Sequence, residues 1–213
     1  IAFEILGVKE AKQSTHQSHL TKHNKLIPYK ENKVIHKLSI GPYCSDLFTE
    51  REFTDSEWIL NLKKLNFENL EEIVIMGSTK DKIKSLGLVK KIKAWKPNLK
   101  INNKVGMLSL RDSVQKILQT DKFLTIDSGL NHVVRELNMQ ILSYWGPSEP
   151  STRLDYKEES NEKIIYRKIA CSPCVHYMDN APCFGNNICM KQYNFEISLS
   201  QAEYYSKFIN RDE

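Results

Sequence analysis

At 213 residues, 40% hydrophobic and 27% charged, the chain has the composition of one large or two small globular domains. Its net charge of +5 is modest. The longest apolar runs, such as Ile73 to Met76, fall far short of the roughly 20 residues that span a bilayer as a helix. The opening residues include Glu4, Lys9, Glu10 and Lys12 and read as no export signal. A reducing compartment is therefore expected, with the five cysteines not obliged to pair.

Residues 1–33 are polar. Their histidines, His16, His19 and His23, have no acidic or cysteine partners nearby and read as surface or linker residues. The chain opens on Ile1 rather than Met, so its natural start is expected upstream. Segment 1–33 then reads as the tail of an upstream domain plus a linker. From Val34 the pattern changes to alternating strands and helices. Val34 to Ile40 reads as a strand closed by Gly41 and Pro42. Thr54 with Glu57 forms a capping-box signature, followed by Trp58, Ile59, Leu62 and Leu65 on one helical face. Glu72 to Met76 reads as a short buried strand ending at Gly77. Ile83, Leu86, Val89, Ile92 and Trp95 recur every third residue and predict a helix that Pro97 ends.

Val114, Ile117 and Leu118 mark a third helix. Phe123 to Ile126 is a strand running into Asp127-Ser128-Gly129, and Leu130, Val133, Val134 and Leu137 form the face of a fourth helix. Ile141 to Trp145 is another buried strand, closed by Gly146 and Pro147. The stretch from about Ser148 to Ser198 shows little periodicity and reads as an ordered excursion. Ser200 with Glu203 can cap a last helix carrying Tyr204, Tyr205, Phe208 and Ile209. Four strands alternating with helices imply an α/β fold, a parallel sheet covered on both faces. Eight lysines crowd Lys80 to Lys100. They read as a solvated helix face, with a membrane-surface patch as the alternative. No aromatics interleave them as a nucleic-acid platform would require, so no nucleic-acid partner is expected.

In a doubly wound sheet, ligands bind outside the carboxyl ends of the strands. Asp127-Ser128-Gly129 occupies such an end, directly before a helix. Glycine there lets an anion approach the backbone, and the exposed amides favour a phosphate. His132 lies one turn further and can donate to a diphosphate. Such corners are common, and a buried His132 bonded to a neighbouring carbonyl is an equal reading of these residues alone.

The wider string decides between them. Val105-Gly106, Ser109-Leu110, Thr120-Asp121 and DSGLNHVVRELNMQILSYWGPSEP, from Asp127 to Pro150, come in one order at one set of spacings. This resembles the donor-binding core of glycosyltransferase family 9, the heptosyltransferase-type family. The resemblance extends outward, to Ile40-Gly41-Pro42, Arg51, the helix around Trp58 and Gly77-Ser78 upstream, and to Cys171-Ser-Pro-Cys174 with Cys183 and Cys189 downstream. It covers about residues 34–195. The sequence departs where the family has Lys-Arg before Trp-Pro: here Glu50-Arg51-Glu52-Phe53 stands in that place. Asn138 replaces a usual glycine, and Val133, Val134 and Arg135 replace small residues.

The resemblance implies a Rossmann-like domain over 34–195, one lobe of a two-lobed glycosyltransferase of the GT-B type. Segment 196–213 would be a helix packing toward the other lobe. It implies inverting transfer of a heptose or hexose from a nucleotide diphosphate sugar, ADP-linked by preference, to a saccharide or lipopolysaccharide-type glycolipid acceptor. No cofactor beyond the donor is implied, and the location is the cytoplasm, at the inner face of the inner membrane if contact with it occurs. The donor-binding residues would be Arg51, Asp81, Asp127, Ser128, Gly129 and His132: Arg51 against diphosphate charge, Asp81 toward ribose hydroxyls, Asp127 shaping the turn. The catalytic carboxylate is expected in an amino-terminal acceptor lobe. The four clustered cysteines, with His176 as a spare ligand, read as reduced thiols packing a loop, and a structural zinc is the alternative. A non-catalytic module with this fold is the competing function, and an epimerase of similar architecture a third, which the Gly-Pro and cysteine segments disfavour.

Overall fold

The computed structural model describes residues 34–137, 139–155, 161–175, 177, 178 and 180–191, together with the backbone of 199 and 200. Six parallel strands form one sheet: β1 (Lys37–Gly41), β2 (Glu72–Ile75), β3 (Lys100–Asn103), β4 (Lys122–Ile126), β5 (Ile141–Trp145) and β6 (Glu162–Tyr166). A two-residue β7 (Leu199–Ser200) pairs antiparallel to β6. The order is β3-β2-β1-β4-β5-β6-β7. Strand succession reverses direction between β1 and β4, which is the switch point where a doubly wound sheet opens a crevice.

Parallel strands joined by helices are covered on both faces, so they read as continuous apolar runs. Leu38 and Ile40 of β1 and Ile73 and Ile75 of β2 point to one layer. There they meet Trp58 and Leu62 of α1 (Asp55–Leu65) and Leu88 and Ile92 of α2 (Lys82–Trp95). Val74, Phe123 and Ile141 point to the other layer, toward Val114 and Ile117 of α3 (Leu110–Leu118) and Val134 of α4 (Gly129–Val134). The expected Thr54–Glu57 box caps α1: Glu57 N donates to Thr54 Oγ1 at 3.3 Å and Thr54 N to Glu57 Oε2 at 2.8 Å. Asn66, in the left-handed region at φ 40, ends that helix.

The structure corrects the sequence reading at three points. β3 is a strand although its sequence, KINN, carries one apolar residue. It sits at the sheet edge, where one neighbour suffices and polar side chains discourage further pairing. β6 lies inside the stretch read as an aperiodic excursion, and it opens on a charged residue, Glu162, that is nevertheless buried. In α2 the buried residues are Ser85, Leu88 and Ile92, while Ile83 and Leu86 are 85% and 62% exposed. A strict three-residue period drifts around a helix of 3.6 residues per turn, so the apolar series could not stay on one face.

No helix among the described residues is long and apolar enough to cross a membrane. Segment 1–33, Asn138, His176 and the helix expected from Ser200 onward, with Tyr204, Tyr205, Phe208 and Ile209, lie outside the described residues, apart from Ser200 itself in β7.

Candidate donor-binding site

A cleft of about 410 Å³ opens over the strand ends at the switch point. Gly41 and Tyr43 after β1, Gly77, Ser78, Lys80 and Asp81 after β2, Leu108 before α3 and Leu110 at its start, and Ser128 and Gly129 after β4 line it. Ser128 caps α4 by accepting from Asn131 N at 3.3 Å. At Gly129 an added Cβ would meet no protein atom within 4 Å. Nothing among the described residues therefore demands glycine here. By contrast, a Cβ on Gly77 would lie 2.8 Å from the Tyr43 ring. The open face at Gly129 leaves the backbone bare toward the cleft. α4 has only six residues, so its attraction for an anion is that of first-turn amides rather than of a long helix dipole.

Asp127, one residue before Ser128, is 4% exposed and is the centre of a second cluster. His132 Nε2 lies 3.2 Å from Asp127 Oδ1, Ser148 Oγ donates to Oδ2 at 2.6 Å, and Arg51 Nη1 reaches Oδ2 at 3.5 Å. Burial by itself would raise the Asp127 carboxyl. The donors from His132 and Ser148 and the charge of Arg51 outweigh it and hold the group below the ordinary carboxylate range. Arg51 is fixed by donating from Nε to Phe48 O at 3.1 Å and from Nη2 to Ser45 Oγ at 2.8 Å. The His132 ring stands edge-on to Trp145, with centroids 6.3 Å apart.

Of the six residues expected from sequence, Asp81, Ser128 and Gly129 line the cleft, while Arg51, Asp127 and His132 form the adjoining cluster. Asp81 Oδ2 accepts from Ser78 N at 2.9 Å and Ser78 Oγ at 2.7 Å, closing the turn that starts α2. Two residues escaped the sequence reading. Ser148 follows the Gly146-Pro147 strand end directly, a position that could have signalled it. Lys80 was grouped with the solvated lysines, yet it lines the cleft, where it donates to Asp46 Oδ1 at 2.6 Å. Glu52, in the departing Glu50-Arg51-Glu52-Phe53 segment, accepts from Cys44 N at 3.0 Å and pairs with Lys84.

The cysteine excursion folds onto the end of β5. Cys174 N and Val175 N both donate to Pro147 O at 2.9 Å, and Ser172 Oγ donates to Gly146 O. A Cβ on Gly146 would strike Met190 Sδ at 2.8 Å and Cys189 Sγ at 3.0 Å, so glycine is required for this closure. All four thiols are unpaired. Burial pushes Cys189 up to about 12, and Cys174, Cys183 and Cys171 add to the rise. Among the described residues no three His, Cys, Asp or Glu side chains come together as metal ligands.

A model of glycosyltransferase family 9 (heptosyltransferase) matches residues 6–184. The chain belongs to this family. The match takes in most of segment 1–33, ahead of the span of about 34–195 that the resemblance covers. Lipooligosaccharide heptosyltransferase 2 of Campylobacter jejuni serotype O:2 is 26% identical over 139 residues, covering 65% of this chain and 42% of that protein. Its counterpart in serotype O:6 is 27% identical over 142 residues, covering 67% and 43%. The chain thus spans less than half the length of these relatives. Two solved structures are similar. One is the ADP-heptose LPS heptosyltransferase II of E. coli, with TM-score 0.49, 23% identity and coverage of 63% of this chain and 39% of that one. The other is a family 9 glycosyl transferase of Veillonella parvula, with TM-score 0.49, 14% identity and coverage of 64% and 36%. The Rossmann-like assignment itself stands on the parallel strand order described above.

Proposed function

We propose that residues 34–195 form the donor lobe of a GT-B glycosyltransferase and seat a nucleotide diphosphate sugar, ADP-linked by preference, over the Asp127–His132 corner. The observation that carries this reading is the bare Gly129 backbone at the edge of the switch-point cleft, a glycine that no packing among the described residues requires. The diphosphate rests on the first-turn amides of α4. Arg51 faces its charge, His132 donates to a phosphate oxygen, and Asp127 holds both side chains. Asp81 accepts from ribose hydroxyls. Fixed donors stabilise the departing diphosphate as the bond to the sugar breaks.

In this reading heptose or hexose passes to a lipopolysaccharide-type saccharide or glycolipid at the cytoplasmic face of the inner membrane. A carboxylate of the acceptor lobe deprotonates the attacking hydroxyl, since transfer needs a base within reach of it. A second reading, a sugar-nucleotide-binding module without turnover, draws support from one observation. Lys80, which lines the cleft, is paired with Asp46, and Lys84 with Glu52.

Titration calorimetry of the full protein with ADP, UDP and GDP, alongside a transfer assay, tests the proposal. His132→Ala is expected to weaken nucleotide binding by about 1–3 kcal/mol, the range for losing a hydrogen bond to a charged group. Absence of binding by all three nucleotides refutes the donor site. Binding without transfer to any acceptor selects the module.

A further inference from the structure

Glu162 opens β6 at 2% exposure, away from the cleft lining. A carboxylate that deep persists only when paired and hydrogen-bonded. Its partners come from the elements that carry the donor corner. Oε2 accepts from Arg135 Nε at 3.1 Å, and that arginine side chain is itself 4% exposed. Oε1 accepts from Ser143 Oγ at 2.5 Å and from Asn131 Nδ2 at 3.4 Å. Ser143 Oγ in turn accepts from Trp145 Nε1 at 2.8 Å, and the Trp145 and His132 rings stand nearly perpendicular with centroids 6.3 Å apart.

His132 is therefore bracketed. Asn131 precedes it by one residue and Arg135 follows it by three, both tied to Glu162, while the indole beside it is tied to the same carboxylate through Ser143. α4 spans six residues, too few to hold its own place without tertiary contacts. Its apolar contacts resist withdrawal from the sheet but not sliding along it, because apolar burial is non-directional. Charge-assisted hydrogen bonds supply the missing direction.

We propose that Glu162 is a positioning residue that sets where His132 stands against Asp127 and the incoming diphosphate. The role rests on the donor-site reading above. Two variants of the full protein test it. Glu162→Gln keeps the volume and removes the charge opposite Arg135. Ser143→Ala cuts the link to Trp145 and leaves the Arg135–Glu162 pair in place. The readouts are the His132 ring resonances, assigned by their loss in His132→Ala, and the affinities for ADP, UDP and GDP.

Both variants should displace the His132 resonances. Glu162→Gln should also weaken whichever nucleotide the unaltered protein binds by about tenfold, and the loss should vanish in a His132→Ala background. Where Glu162→Gln fails to fold, Ser143→Ala alone decides the resonance test. Folded variants with unmoved His132 resonances overturn the proposal, as do losses that multiply independently with His132→Ala. Displaced resonances in a protein that binds none of the three nucleotides keep the positioning role and remove the donor-site reading instead.

Discussion

The two faces of the sheet are held by different forces. Toward α1 and α2 the strands present Leu38, Ile40, Ile73, Ile75, Leu124 and Tyr144, and the layer closes on an aromatic trio. Phe53, Trp58 and Tyr144 stand edge to face with centroids 5.1–5.9 Å apart. Toward α3 and α4 the middle strands present Ser39, Thr125 and Ser143, each at 0% exposure. Ser39 Oγ bonds Thr120 Oγ1 at 2.9 Å, Thr125 Oγ1 donates to Gly41 O at 3.3 Å, and Ser143 donates to Glu162. The first face supplies apolar burial, which scales with area and has no preferred direction. The second gives up part of that burial for directed bonds, and it is the face that carries the Asp127–His132 corner.

The contrast is open to direct attack. Trp58 sits at 1% exposure at the centre of the apolar face. Trp58→Ala should cost about 3–5 kcal/mol in urea unfolding. Trp58→Phe should cost markedly less, since Trp58 Nε1 has no hydrogen-bond partner among the described residues. Equal costs for the two variants would mean that the face depends on a polar contact of the indole.

On the polar face the expected signature is a pH dependence. The folded-state Asp127 carboxyl lies below the ordinary aspartate value of about 3.9. Its contribution to stability is therefore present above that ordinary value and is lost as the pH falls through the depressed folded value. Unfolding midpoints measured from pH 6 downward should show a steeper acid-side decline in the unaltered protein than in Asp127→Asn. Parallel curves would remove Asp127 from the account of that face.

The smallest effect belongs to the outer side of α2. Leu86 is 62% exposed, so Leu86→Lys should change stability by no more than about 0.5 kcal/mol. A loss the size of a core deletion would restore the three-residue periodicity as the true buried face.

That helix illustrates where the sequence was legible. Strands β1, β2, β4 and β5 could be read because burial on both faces leaves mainly apolar runs, broken inside β1, β4 and β5 only by the small residues Ser39, Thr125 and Ser143. The α1 cap could be read because Thr54 and Glu57 interact within one turn. β3 was not legible, since an edge strand needs no apolar run. β6 was not legible because the Arg135 partner that makes Glu162 tolerable in the interior lies 27 residues away. In the site, Asp127, Ser128, Gly129 and His132 were readable as one contiguous corner. Arg51 lies 76 residues from Asp127, and only the family resemblance brought it to the site. Ser148 and Lys80 depend on how loops fold back over strand ends, which composition does not encode.

The spatial order β3-β2-β1 uses residues 37–103 alone, and β4-β5-β6 uses residues 122–166 alone. Within the sheet they are joined at one seam, the strand pair β1 against β4. At its entry Asp121 Oδ2 accepts from His36 N at 2.9 Å and Lys37 N at 2.8 Å, across 84 to 85 residues of chain. Closing a loop of that length is an entropic cost that the contacts within either half do not offset. The cleft straddles the seam, with Gly41 and Gly77 from one half and Ser128 and Gly129 from the other. Neither half owns a binding site before they join. A molecule seated there clamps the two halves together, and its binding free energy adds directly to the closure of the seam.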